Sequence, residues 1–151
     1  MFSHLSEEAH LAWLEEFERI LKPGGFLIAT TLSRRHIELC VKFVREERDS
    51  LEPWQRDIVE CFSPPERFLA AYDGGEFCFG TVATPHFGNT AIPERYVRDT
   101  WSRYLDVRDF IPEALDQAVI VCRRPPVTPS AWPVRRLERA RRLRGGLMAA
   151  H

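Results

Sequence analysis

The run Phe2–Leu32, FSHLSEEAHLAWLEEFERILKPGGFLIATTL, constrains the fold more than any other stretch, because it sets a turn, a helix, a stop and a strand in immediate succession. Ser6 stands at an N-cap position, and Glu7 and Glu8 follow where carboxylates favour the helix dipole. Trp13, Phe17, Ile20 and Leu21 recur at i, i+4, i+7 and i+8 and predict one apolar stripe. Lys22 closes the last turn, Pro23 cannot continue it, and Gly24-Gly25 permits a left-handed exit. The near-continuous apolar run Phe26–Leu32 then predicts a strand covered on both faces, as in a parallel sheet between helices.

Further along, Ser33 is placed to cap a helix with Ile37, Cys40, Val41 and Val44 on one side. Pro53 suits the first position of another, carrying Trp54, Ile58, Cys61 and Phe62. Ser63-Pro64-Pro65-Glu66 combines a capping box with an N1 proline and opens a turn of helix through Phe68, Leu69 and Tyr72, which Asp73-Gly74-Gly75 ends. Phe77–Val82 and about Phe87–Ile92 are short strand-like pieces, a hairpin or an irregular flap. Pro93 starts a helix bearing Val97, Trp101, Tyr104 and Leu105. Leu105–Ile111 and Ala118–Arg123 are two strands whose short connection requires antiparallel pairing, since a parallel pair needs a crossover of about a dozen residues.

With 151 residues the chain is long enough for one domain with its own core. Its net charge of −1 hides an asymmetry. From Arg123 onward there are eight arginines against one acid, Glu138, so the total divides into +7 for the tail and −8 for the body. Residues 126–151 are accordingly expected to form a Pro/Arg-rich basic tail with little packing. The four cysteines, Cys40, Cys61, Cys78 and Cys122, show no CxxC and no metal spacing to a histidine, and are expected to be buried free thiols of a reducing compartment. No signal-peptide pattern and no apolar run near the length of a membrane span is present, so a soluble cytoplasmic protein is expected, with no membrane contact.

The order helix, Pro-Gly-Gly, buried strand, crossover, antiparallel pair resembles the second half of class I S-adenosylmethionine-dependent methyltransferases. The likeness covers about Phe2 to Pro125. Phe2-Ser3-His4-Leu5 is similar to the turn after that family's fourth strand. Trp13, Glu16, Arg19, Leu21 and Pro23-Gly24-Gly25 fall close to its helix-and-stop signature. Phe87-Gly88, Tyr96-Val97, Trp101 and Val107-Arg108-Asp109-Phe110 resemble a closing section of some bacterial members. The resemblance implies an α/β fold, the C-terminal half of a Rossmann-like sheet of order 3-2-1-4-5-7-6. In that half, Phe26–Leu32 would be strand five, the last two strands six and seven, and residues 34–92 a lid-like insert within a partial domain spanning 1–125.

For a complete domain the resemblance implies methyl transfer from S-adenosylmethionine to a small acceptor, an in-line displacement in which the protein aligns the reactants and excludes water. By position His4 is the candidate catalytic base, a residue type that titrates near neutrality. Ser3 and Leu5 are the candidate cofactor contacts, and Thr31, His86 and Phe87 the candidate acceptor contacts. Thr30, Trp54 and Tyr96 have weaker claims, being ordinary sheet and core residue types.

One departure is large. The glycine-rich turn after strand one and the acidic residue after strand two, which hold the cofactor in this family, have no counterpart; Gly24-Gly25, Gly74-Gly75 and Gly145-Gly146 do not supply them. The sequence begins where the family has the end of strand four. This chain alone is therefore expected to be inactive, its first half coming from an upstream reading frame or a partner chain, and its exposed strand edge open to self-association. The competing expectations are a noncatalytic remnant or partner subunit, and a nucleic-acid-binding module using Arg135–Arg144. The absence of interleaved aromatics weighs against nucleic acid.

Overall fold

The Lys-Pro-Gly-Gly stop behaves as its residue types dictate. In the computed structural model, which describes residues 2–46, 50–82, 88–114 and 116–126, helix α1 (Glu7–Ile20) ends at Leu21, whose N–H still reaches the Phe17 carbonyl. Gly24 then takes a φ of 78°, open to glycine without strain, and turns the chain into strand β1 (Phe26–Thr31). The turn is held from outside as well. Gly24 N–H donates to the Arg124 carbonyl, Arg124 N–H to that of Gly25, and the Arg124 guanidinium to that of Leu21.

After β1 come α2 (Arg34–Phe43), α3 (Pro53–Cys61) and α4 (Pro65–Asp73), then strands β2 (Cys78–Gly80) and β3 (Asn89–Ala91). A three-residue helical turn α5 (Glu94–Tyr96) runs into a π turn (Val97–Trp101), followed by β4 (Asp106–Ala114) and β5 (Gln117–Arg123). The main sheet has the order β1-β5-β4, every pairing antiparallel, and β2 pairs antiparallel with β3 in a second small sheet. The antiparallel pairing expected for the last two strands is present. The mixed α/β class is observed as well.

Two cores result. Leu27, Ala29, Phe110, Ala118, Ile120 and Cys122 face α1, the first turn and the π turn, burying Phe2, Leu14, Val97 and Trp101. Leu32, Ile37, Cys40, Ile58, Phe62 and Cys78 gather α2, α3 and the β2–β3 pair into the other. Gly80 marks how closely these elements approach: a Cβ there would lie 1.9 Å from the Cys61 carbonyl oxygen. Gly80→Ala is therefore expected to push β2 off α3 and cost about 2 kcal/mol, read as a lower urea midpoint at unchanged slope. A neutral result would show that the two backbones are not in contact.

Three expectations are corrected. Strand β1 is covered on one face only: Leu27, Ala29 and Thr31 are buried, but Phe26 is 59% and Ile28 69% exposed. Its apolar run is continuous, yet no described element packs over that second face. Along α1 the inward line is His10 and Leu14, both buried, with Phe17 and Leu21 half-buried, whereas Trp13 and Ile20 are exposed. The stripe is rotated because a histidine, counted as polar, occupies one of its two fully buried positions. At α4 the N-cap residue is Pro64, so the Ser63 capping box is not formed. A reciprocal contact appears at α3 instead, where Glu52 N–H donates to Gln55 Oε1 at 2.7 Å.

Candidate functional site

The first turn of the chain, Phe2–His4, sits at the carboxyl end of β1 and against β3, and hydrogen bonds fix it there. The His4 Nδ1 lies 2.8 Å from the Gly88 carbonyl oxygen. A carbonyl can only accept, so Nδ1 carries the proton and Nε2 holds the lone pair in the neutral ring. Gly88 N–H returns a bond to the His4 carbonyl at 3.0 Å. The Thr90 hydroxyl donates to the Leu5 carbonyl at 2.6 Å, while the Thr90 carbonyl accepts from both the Thr31 hydroxyl (2.9 Å) and Leu32 N–H (3.0 Å). Through Thr90 three segments distant in sequence, residues 2–6, 31–32 and 88–91, become one assembly.

Of the candidates, Ser3 and Thr31 are buried, His4 and Leu5 half-buried. The structure brings His4, Leu5 and Thr31 together around Thr90; His86, Phe87 and the whole Arg135–Arg144 stretch lie outside the described residues. Tyr96 is pinned by its hydroxyl to Glu7 Oε1 at 2.6 Å, and Trp54 stands out in solvent with its ring against Phe43. A cleft of about 310 Å³ lies elsewhere, between α2 and α3, floored by Phe43, Val44, Leu51 and Val59. Burial pushes the Cys40, Cys78 and Cys122 thiols up to about 12 and raises Cys61 as well, which favours the protonated form at neutral pH. Among the described residues no group of His, Cys, Asp or Glu is arranged to hold a metal ion, and no helix is long and apolar enough to cross a membrane.

Sequence reasoning overlooked two residues. Thr90 carries no pattern that could have revealed it. His10 does carry one, four residues before Leu14 and seven before Phe17. It is wholly buried among Phe2, Phe77, Tyr96 and Trp101, with ring centroids 4.7 to 6.4 Å away, and neither ring nitrogen has a hydrogen-bond partner. Burial pushes its pKa from 6.5 down to about 3, so the ring is neutral at physiological pH. The Tyr96 hydroxyl, on the α5 turn, is itself raised by burial and by its bond to Glu7.

The described residues do not by themselves make an S-adenosylmethionine site. Ser3 is buried, and the His4 and Leu5 carbonyls already accept from Gly88 and Thr90. Gly24 and Gly75, with φ of 78° and 85°, are helix exits and not part of a strand-turn-helix cradle. No family model, curated protein or solved structure matches the chain.

Proposed function

We propose that this chain is the acceptor-side half of a class I S-adenosylmethionine-dependent methyl-transfer domain, in which His4 is the general base, and that by itself it neither holds the cofactor nor turns over. The observation that carries this reading is the placement of the His4 turn at the carboxyl end of β1. In open α/β sheets ligands gather outside the carboxyl ends of the parallel strands, and β1 would be such a strand in the complete sheet. Two further features support it. The order β1-β5-β4 is the one the resemblance implies for strands five, seven and six, and β1 leaves open the edge and the face where more of a layered sheet would pack.

In this reading the Gly88 carbonyl fixes the His4 tautomer and ring plane, so that Nε2 accepts the proton of an acceptor hydroxyl or amine. Thr90 holds the turn in place as a positioning residue. Ser3 and Leu5 stand at the near side of the cofactor, the remaining cofactor contacts belong to the other half of the domain, and the acceptor is a small molecule.

The nucleotide sequence upstream of Met1 gives the first test. An in-frame glycine-rich strand-turn-helix is expected, and its absence both there and in any co-purifying chain would leave the reading without a cofactor site. Calorimetric titration with S-adenosylmethionine should give no heat with this chain and micromolar affinity with the extended one. Micromolar binding by the present chain would place the pocket elsewhere. In the extended protein His4→Ala should lower kcat by about 10²-fold or more, the usual weight of a general base, and an unchanged kcat removes His4 from the chemistry.

A further inference from the structure

Strand β1 presents a backbone edge that has no partner among the described residues below Leu32. Leu32 N–H donates to the Thr90 carbonyl on the side away from β5. Backbone groups alternate sides along a strand, so the N–H and C=O groups of Phe26, Ile28 and Thr30 face that same open side. Natural edges are blunted by charged residues, proline or bulges. The other margin of the sheet, β4, shows all of these: Asp106, Arg108, Asp109 and Glu113, Pro112, and two breaks in its register against β5. Strand β1 shows none. It carries no charge and no proline, and its register against β5 runs unbroken from Phe26 to Thr31. Beside that edge Phe26 and Ile28 lie largely in solvent.

The open edge is complementary to itself. About a two-fold axis at Ile28, an antiparallel copy pairs Phe26 with Thr30, Ile28 with Ile28 and Thr30 with Phe26, and every outward backbone group finds its mate. Thr90 closes the edge above Thr30, and the turn at Gly24 bends the chain toward Arg124 below Phe26, so the pairing has defined ends. We infer that a second copy of this chain docks antiparallel along β1, joining two three-stranded sheets into one six-stranded sheet across a two-fold axis. The bulged, charged β4 edge stops growth there, which makes the assembly a closed dimer and not a fibre. The inference rests on the edge's backbone geometry, its lack of charge and the exposure of Phe26 and Ile28; it competes with the methyl-transfer reading for one surface, since an added first half of a domain would take the same edge.

The test compares the full chain with Ile28→Lys and Ile28→Glu by sedimentation equilibrium, singly and mixed in equal amounts. The wild type should be a dimer. Each variant should dissociate at least about tenfold more readily, because like charges meet at the axis, with its circular dichroism unchanged since Ile28 is exposed. The equal mixture should restore a dimer, Lys opposite Glu. A monomeric wild type, open-ended oligomers, single variants that remain dimeric, or a mixture that stays monomeric would each overturn the proposal.

Discussion

Acidification from pH 7 to pH 4 is expected to remove about 3 kcal/mol of folding stability through His10 alone. The unfolded chain takes up the imidazole proton at the ordinary 6.5, the folded chain only near 3. Between those values the unfolded state binds more protons, so stability falls with pH by about 1.4 kcal/mol per unit. Above 6.5 the contribution is constant, and below 3 the loss is complete. His10→Leu should remove this limb. It should also cost little at pH 7, since it replaces two unpartnered nitrogens with apolar surface among Phe2, Phe77, Tyr96 and Trp101. Urea midpoints of both proteins at the two pH values decide the matter. Carboxylates such as Asp73, held low by Arg34, titrate in both proteins and cancel in the comparison. Equal acid losses in the two would dismiss His10 as the cause.

Trp101→Ala should cost about 4 kcal/mol, near the upper range for emptying a large aromatic site. The indole is wholly buried, with ring centroids 5.3 Å from Phe2 and 5.0 Å from His10, and it joins the π turn to the first turn and α1. Against a total stability of about 5–15 kcal/mol such a loss is near the limit for folding. Trp101→Phe should cost far less, about 1–2 kcal/mol, because it keeps an aromatic ring and discards an indole N–H that has no partner. Thermal melts of the two variants give the order. If Phe proves as damaging as Ala, the indole nitrogen holds something that the ring alone cannot.

The parts of the fold that were legible in the sequence are those where one residue type leaves the backbone little choice. Pro23 with Gly24-Gly25 ended α1 and launched β1; Pro53 and Pro65 opened α3 and α4; the short link before Ala118 required β4 and β5 to be antiparallel. Apolar periodicity was less dependable. It assigned Trp13 and Ile20 to the core because they are apolar, and passed over His10 because it is not, although the 3.6-residue period holds equally for the line through His10 and Leu14. The exposure of Phe26 and Ile28 was illegible for a different reason: pattern shows that a strand is apolar, not whether a second layer exists to cover it. At the candidate site, sequence position brought His4 and Thr31 forward. The residue that joins them, Thr90, acts through its own carbonyl and hydroxyl, for which no local pattern codes.

Thr90 also limits how this molecule can move. Segment 88–91 cannot swing away from the first turn like a hinged flap while its carbonyl takes two donors and its hydroxyl a third contact. The amides of Leu32 and Gly88 should accordingly lose their deuterium protection together, in a single opening event.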